Sequence, residues 1–234
     1  AMPMSVHLNT IPTWTLSHHE KRYCALLKYL HIDPDSPSAL DQLRNVPQDV
    51  VSRATIHVEG IFNATGNPCD DGVFHAVTPS FNAISSPASW LKGYMVGDTL
   101  DEGMIFYESF CEDSFSTIRA GIASRVGVDA ADTILELYGV TPDFPKDELV
   151  KRMEDMAGDA AFKAHNWVAA HRSDIPQTFG YHFDQACAHE SSFKGLAYHA
   201  LDLLYLFLNF DEHMTQGQRE LVRTMANHFI DFAH

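Results

Sequence analysis

Only two stretches of this chain read as strands, and a long run of helical pattern lies between them. Trp90 to Gly97 is short and apolar and closes on the turn-forming pair Gly97-Asp98, and Gln177 to Asp184 has a similar character. Strands separated by helices predict a parallel pair joined by a crossover, which is an α/β fold. A parallel sheet needs cover on both faces and protection of its open edge. The expectation is one domain over residues 1–234, with few parallel strands and many helices.

The helices announce themselves by caps and spacing. Ser17 to His31 carries Ser17 as a cap, Glu20 three residues on, and Tyr23, Leu26, Leu27 and Leu30 at helical intervals, with Pro34 as the stop. Further helices are predicted at 38–45, 48–59, 114–126, 129–138 and 147–172, the last with Gly158 as its weak point. Ala200 to Phe210 is apolar enough to be buried on most sides. A last helix starts near Gln216 under Thr215 and Gln218, with Leu221, Met225 and Phe229 as its core stripe. Residues 60–90, rich in Gly and Pro, read as a long surface loop of the kind that is usually functional.

Composition excludes several classes. With 16 basic and 31 acidic residues the net charge is −15, which argues against nucleic acid and against an anionic membrane surface. No apolar run approaches the ~20 residues of a membrane span, and no signal-peptide pattern opens the chain. Ala1 ahead of Met2 reads as an addition before a start at Met2. The four cysteines form no Cys-x-x-Cys and are expected to be free thiols in a reducing, cytoplasmic setting, where the sequon Asn63-Ala64-Thr65 is idle. Fourteen histidines show no metal-ligand spacing, although His182 and Asp184 share a strand face. No phosphate loop or dinucleotide fingerprint occurs, so no metal and no cofactor are expected.

Several segments are familiar. Tyr94-Met95-Val96-Gly97-Asp98-Thr99-Leu100-Asp101-Glu102-Gly103-Met104-Ile105-Phe106 resembles the strand-plus-acid segment of the type B carboxylesterases, the family of cholinesterases and fungal lipases. Gly195-Leu196-Ala197-Tyr198-His199-Ala200-Leu201-Asp202-Leu203-Leu204-Tyr205-Leu206-Phe207 is similar to that family's histidine segment, Pro68-Cys69-Asp70-Asp71-Gly72 to its Asp-Gly loop, and Phe229 to Ala233 to its late helix. The resemblance runs from about residue 15 to residue 233 and covers only the C-terminal half of the family's chain. It implies a truncated α/β-hydrolase-like fold. The family's Gly-x-Ser-x-Gly elbow and oxyanion loop belong to its other half, and neither motif occurs here; Gly121 to Gly127 places its serine one position too far along.

The resemblance matches Glu102 to the family's triad acid and His199 to its base. An imidazole that shuttles protons must be held in one tautomer by a carboxylate on its other nitrogen. On residues alone, His199 would be a hydrogen-bonded core histidine and Glu102 a solvated turn residue. Asp101, adjacent to Glu102, is an alternative acid, and Asp202 a candidate support. Tyr181, His182 and Tyr198 flank a strand end and the histidine loop, where α/β sheets bind ligands.

Three functions are compatible with this reading. The first is a repurposed enzyme using His199 and Glu102 as general acid/base on a small apolar metabolite, by cyclisation, isomerisation, dehydration or addition. The second is one half of a split carboxylesterase, and the third is a binding protein on a relic fold. Each leaves an apolar face exposed, so a homodimer is expected.

Overall fold

The computed structural model describes residues 1–5, 13–59, 67–73, 88–172, 175–209 and 211–234. The sequon and most of the predicted 60–90 loop lie outside them. The chain divides into two compact units, Ile11–Ser80 and Ala1–Thr10 with Phe81–His234.

In the first unit, Trp14–Thr15 (β1) pairs in parallel with Cys69–Asp70 (β2). Leu16–Tyr29 (α1) begins one residue before Ser17, because Thr15, in extended conformation, accepts from His18 N at 3.2 Å and takes the capping role. The helix ends well short of Pro34, where His31 adopts a left-handed conformation. Ala39–Arg44 (α2) and Gln48–Glu59 (α3) follow, and Leu27, Ile32 and Ala39 form a small core.

The second unit holds the parallel pair. Gly93–Thr99 (β3) and Gln177–Phe183 (β4) run in register from Gly93 opposite Gln177 to Thr99 opposite Phe183. β3 starts and ends later than predicted: Trp90 is 74% exposed, and Gly97-Asp98 belongs to the strand. Gly97 is glycine because a Cβ there would lie 2.2 Å from the Tyr181 ring. On its other side β3 receives the N-terminus, with Ser5 N donating to Gly97 O at 2.8 Å and Met4 bridging in parallel to Gly97.

After β3 the chain turns into a 3₁₀ segment, Glu102–Phe106, then Tyr107–Phe110 (α4), Phe115–Val126 (α5) and Val128–Leu137 (α6). The predicted helix 147–172 is interrupted. Lys146–Gly158 (α7) passes through a π-turn, Asp159–Lys163, into Ala164–Arg172 (α8). Ile118, Leu135, Val140, Leu149 and Met156 pack these helices together. The apolar stretch from Ala200 yields only Leu201–Leu206 (α9): Leu201, Asp202 and Tyr205 are buried, but Phe207 is 67% exposed. Gln216–Ala233 (α10) has the predicted Thr215/Gln218 capping box. Its buried side chains are Gln218 and Val222; of the predicted stripe, Met225 packs against the core of Phe183, Leu201 and Tyr205, and all three residues also line a groove beside β4. No described helix is long and apolar enough to cross a membrane.

Candidate active site

The acid loop and the histidine loop leave the same end of the sheet, β3 running into Glu102 and β4 leading through 184–198 to His199. A parallel pair places both exits together, which is how residues 97 apart come into contact. His199 Nδ1 is hydrogen-bonded to Glu102 Oε2. Glu102 has no solvent exposure, and its other oxygen accepts from Ser5 Oγ and from Thr99 N, the latter at 2.7 Å. A buried carboxylate is tolerated only when its lone pairs are so occupied. The His199 side chain is 27% exposed, and among the described residues Nε2 makes no hydrogen bond.

The imidazole is also held by packing. Phe162, on the π-turn, lies with its ring centroid 4.9 Å from that of His199 and is backed by Phe106. A π-turn inserts an extra residue into the helical register and so re-aims its side chains. Close approach brings the π-turn near: Gly158 packs against Gly103, and a Cβ on Gly103 would fall 1.8 Å from Glu154 O. The weak point read at Gly158 is therefore a contact between backbones. Ala200 is left-handed at φ +69°, turning the chain from His199 into α9.

Asp101 serves the backbone rather than the imidazole. Its Oδ2 accepts from Ala197 N at 2.8 Å, Asp101 N donates to Ala197 O at 3.0 Å, and Lys151 on α7 binds Oδ1 at 2.9 Å. Asp101 thus pins the loop two residues before His199. Asp202 is buried and accepts from Tyr181 Oη at 2.8 Å and Leu203 N at 2.9 Å. Burial raises the Asp202 carboxyl above its ordinary range, while the Tyr181 hydrogen bond opposes the shift. Burial, followed by the charge of Asp202, pushes the Tyr181 phenol upward.

Tyr198 lies tilted against Phe193, ring centroids 5.2 Å apart, and packs against the core of Phe183, Leu201 and Tyr205. His182 is hydrogen-bonded through Nδ1 to Asp98 and lies 3.0 Å from Asp184 through Nε2. Asn166 of α8 donates to Asp98 Oδ2 and Gly97 O, both at 2.9 Å, tying helix to sheet. Among the described residues no group of three or more His, Cys, Asp or Glu is arranged to hold a metal ion. All four cysteines are free.

Sequence reasoning missed Ser5, Phe162, Lys151 and Asn166. None belongs to a motif, and each reaches the site only through the tertiary fold.

No family model and no curated protein matches the chain. Solved structures do. A PNB esterase superposes with a TM-score of 0.68 at 23% identity, over 100% of this chain and 48% of its own. A second structure of a PNB esterase gives 0.69 at 24%, over 100% and 47%. A thermophilic PNB esterase gives 0.64 at 23%, over 96% and 46%. The chain thus spans about half the length of these esterases, and its fold is a helix-rich, few-stranded portion of the α/β-hydrolase architecture.

Proposed function

We propose that this chain contributes the acid–base couple of an ester-hydrolysing active site. His199 Nε2 takes the proton of an attacking hydroxyl and later returns it to the leaving alcohol. Its Nδ1–H stays donated to Glu102, which fixes the tautomer and stabilises the imidazolium. The attacking hydroxyl and the oxyanion donors come from a polypeptide segment outside these 234 residues. The observation that carries this reading is the His199–Glu102 hydrogen bond on a fully buried carboxylate, with Nε2 unengaged among the described residues. The fold shared with PNB esterases supports it.

The test is complementation. A segment carrying a Gly-x-Ser-x-Gly elbow, taken from the other half of an esterase of this fold, is co-expressed with the chain and assayed on a p-nitrophenyl ester. Turnover is expected from the combination, none from the chain alone, and none with His199→Ala. Undiminished turnover in His199→Ala overturns the proposal.

A second reading has one observation in its favour. Every support of the couple named above, from Ser5 and Thr99 to Asp101 and Phe162, lies within this chain. These supports hold the couple in a geometry suited to general acid/base action on a small apolar molecule without an acyl-enzyme. Product formation by the chain alone, lost in His199→Ala, would favour this reading.

A further inference from the structure

The acid loop and the histidine loop are joined one residue before Glu102 and two before His199. Asp101 N donates to Ala197 O at 3.0 Å, Ala197 N donates to Asp101 Oδ2 at 2.8 Å, and Asp101 bridges in parallel to Tyr198. One of the two bonds to Ala197 is made by a side chain, so it lasts only while the Asp101 carboxylate keeps its orientation. The other end of that carboxylate is fixed from α7, where Lys151 Nζ donates to Oδ1 at 2.9 Å.

Lys151 holds more than one acid. Lys151, Glu154 and Asp155 stand at i, i+3 and i+4 and so share a helix face. Lys151 Nζ lies 3.8 Å from Glu154 Oε2 and 3.4 Å from Asp155 Oδ1, so three carboxylates converge on one ammonium. Asp155 also reaches Arg152 at 3.5 Å, but among the described residues Asp101 and Glu154 have no other cationic partner. The acids feel one another: burial raises the Glu154 carboxyl, Lys151 pulls it back, and the charges of Asp155 and Asp101 push it further up.

Without the ammonium, Asp101 would face two like charges in a chain of net charge −15. Its side chain is only 11% exposed, so the repulsion is poorly screened. The helix is held in place, because the Glu154 carbonyl lies against Gly103. The carboxylate therefore turns away and releases Ala197 N.

We infer that Lys151 is a positioning residue for His199, acting through Asp101 and Ala197 to set how His199 Nδ1 meets Glu102. The inference rests on the acid–base reading above. An exposed ion pair adds little to global stability, so the effect belongs at the imidazole and not in the unfolding midpoint.

The test is the solvent exchange rate of the far-downfield proton on His199 Nδ1, read by proton NMR on the full chain with no ester and no second segment present. Lys151→Met is expected to quicken exchange about tenfold, as the loss of one charged hydrogen bond would, with the urea midpoint unchanged. Lys151→Arg is expected to keep the wild-type rate. So is Lys146→Met, which removes a different ion pair of α7, to Glu112 at 3.0 Å. Should Lys151→Met misfold, Asp101→Asn removes the same ion pair from its other end and gives the same readout. A rate that loss of this pair leaves unchanged overturns the inference and leaves the His199–Glu102 couple standing. So does a change that Lys151→Arg fails to restore, or one that Lys146→Met matches. A wild type with no far-downfield proton overturns the couple itself, and this inference with it.

Discussion

Glu102 gathers donors on both of its oxygens, Ser5 Oγ and Thr99 N on one and His199 Nδ1 on the other. Glu102→Gln keeps one acceptor and turns the other terminus into a donor, which faces the imidazole with the wrong polarity. The far-downfield Nδ1 proton resonance is expected to vanish, and stability to fall by about 1–3 kcal/mol, measured by urea unfolding. In the complemented esterase assay the rate is expected to fall roughly 10²–10⁴-fold. Asp202 behaves differently. Its folded carboxyl is raised, first by burial, so the folded chain holds a proton that the unfolded chain has already released. That contribution is complete below the unfolded carboxylate range and is lost as pH rises through the folded value. Asp202→Asn is therefore expected to flatten the decline in urea midpoint between acid and neutral pH. An unchanged pH dependence would remove Asp202 from the account.

At the scale of elements, the site depends on backbones that touch. Gly103 and Gly158 let the 3₁₀ segment after β3 lie against α7, and this closeness brings Phe162 to His199. Gly103→Ala is expected to cost about 3 kcal/mol or more, because the obstacle is the Glu154 carbonyl and not a side chain that can swing aside. A shift of less than about 1 kcal/mol in the unfolding midpoint would show that α7 can give way. Helices with local signals were legible, as Thr215 with Gln218 shows, because a cap is a contact between near neighbours in sequence. The π-turn was not, since nothing in Asp159-Ala160-Ala161-Phe162-Lys163 departs from a helical pattern and its cause lies across the molecule. The end of β3 was misread for a related reason: Gly97 carries a turn-former's chemistry but is used to admit the Tyr181 ring. The apolar stripe of α10 divides in the structure, Met225 packing on the core while Leu221 and Phe229 line a groove, a distinction that periodicity alone does not make.

At the scale of the whole molecule, charge and long-range topology dominate. A net charge of −15 repels itself in the folded state. Raising NaCl from about 0.01 M to about 0.15 M shortens the screening length from about 30 Å to about 8 Å. The thermal midpoint is expected to rise across that series in differential scanning fluorimetry. A fall would mean that pairs such as Lys151–Asp101 and Arg119–Asp132 outweigh the general repulsion. The pairing of Glu102 with His199 could be anticipated only through resemblance, because nothing local links the two. Glu102 stands 97 residues from Ser5 and 97 from His199. During synthesis its carboxylate emerges 97 residues after one side-chain partner and 97 residues before the other. Any nascent chain halted between Glu102 and His199 therefore carries its buried acid with Ser5 already supplied and the imidazole still to come.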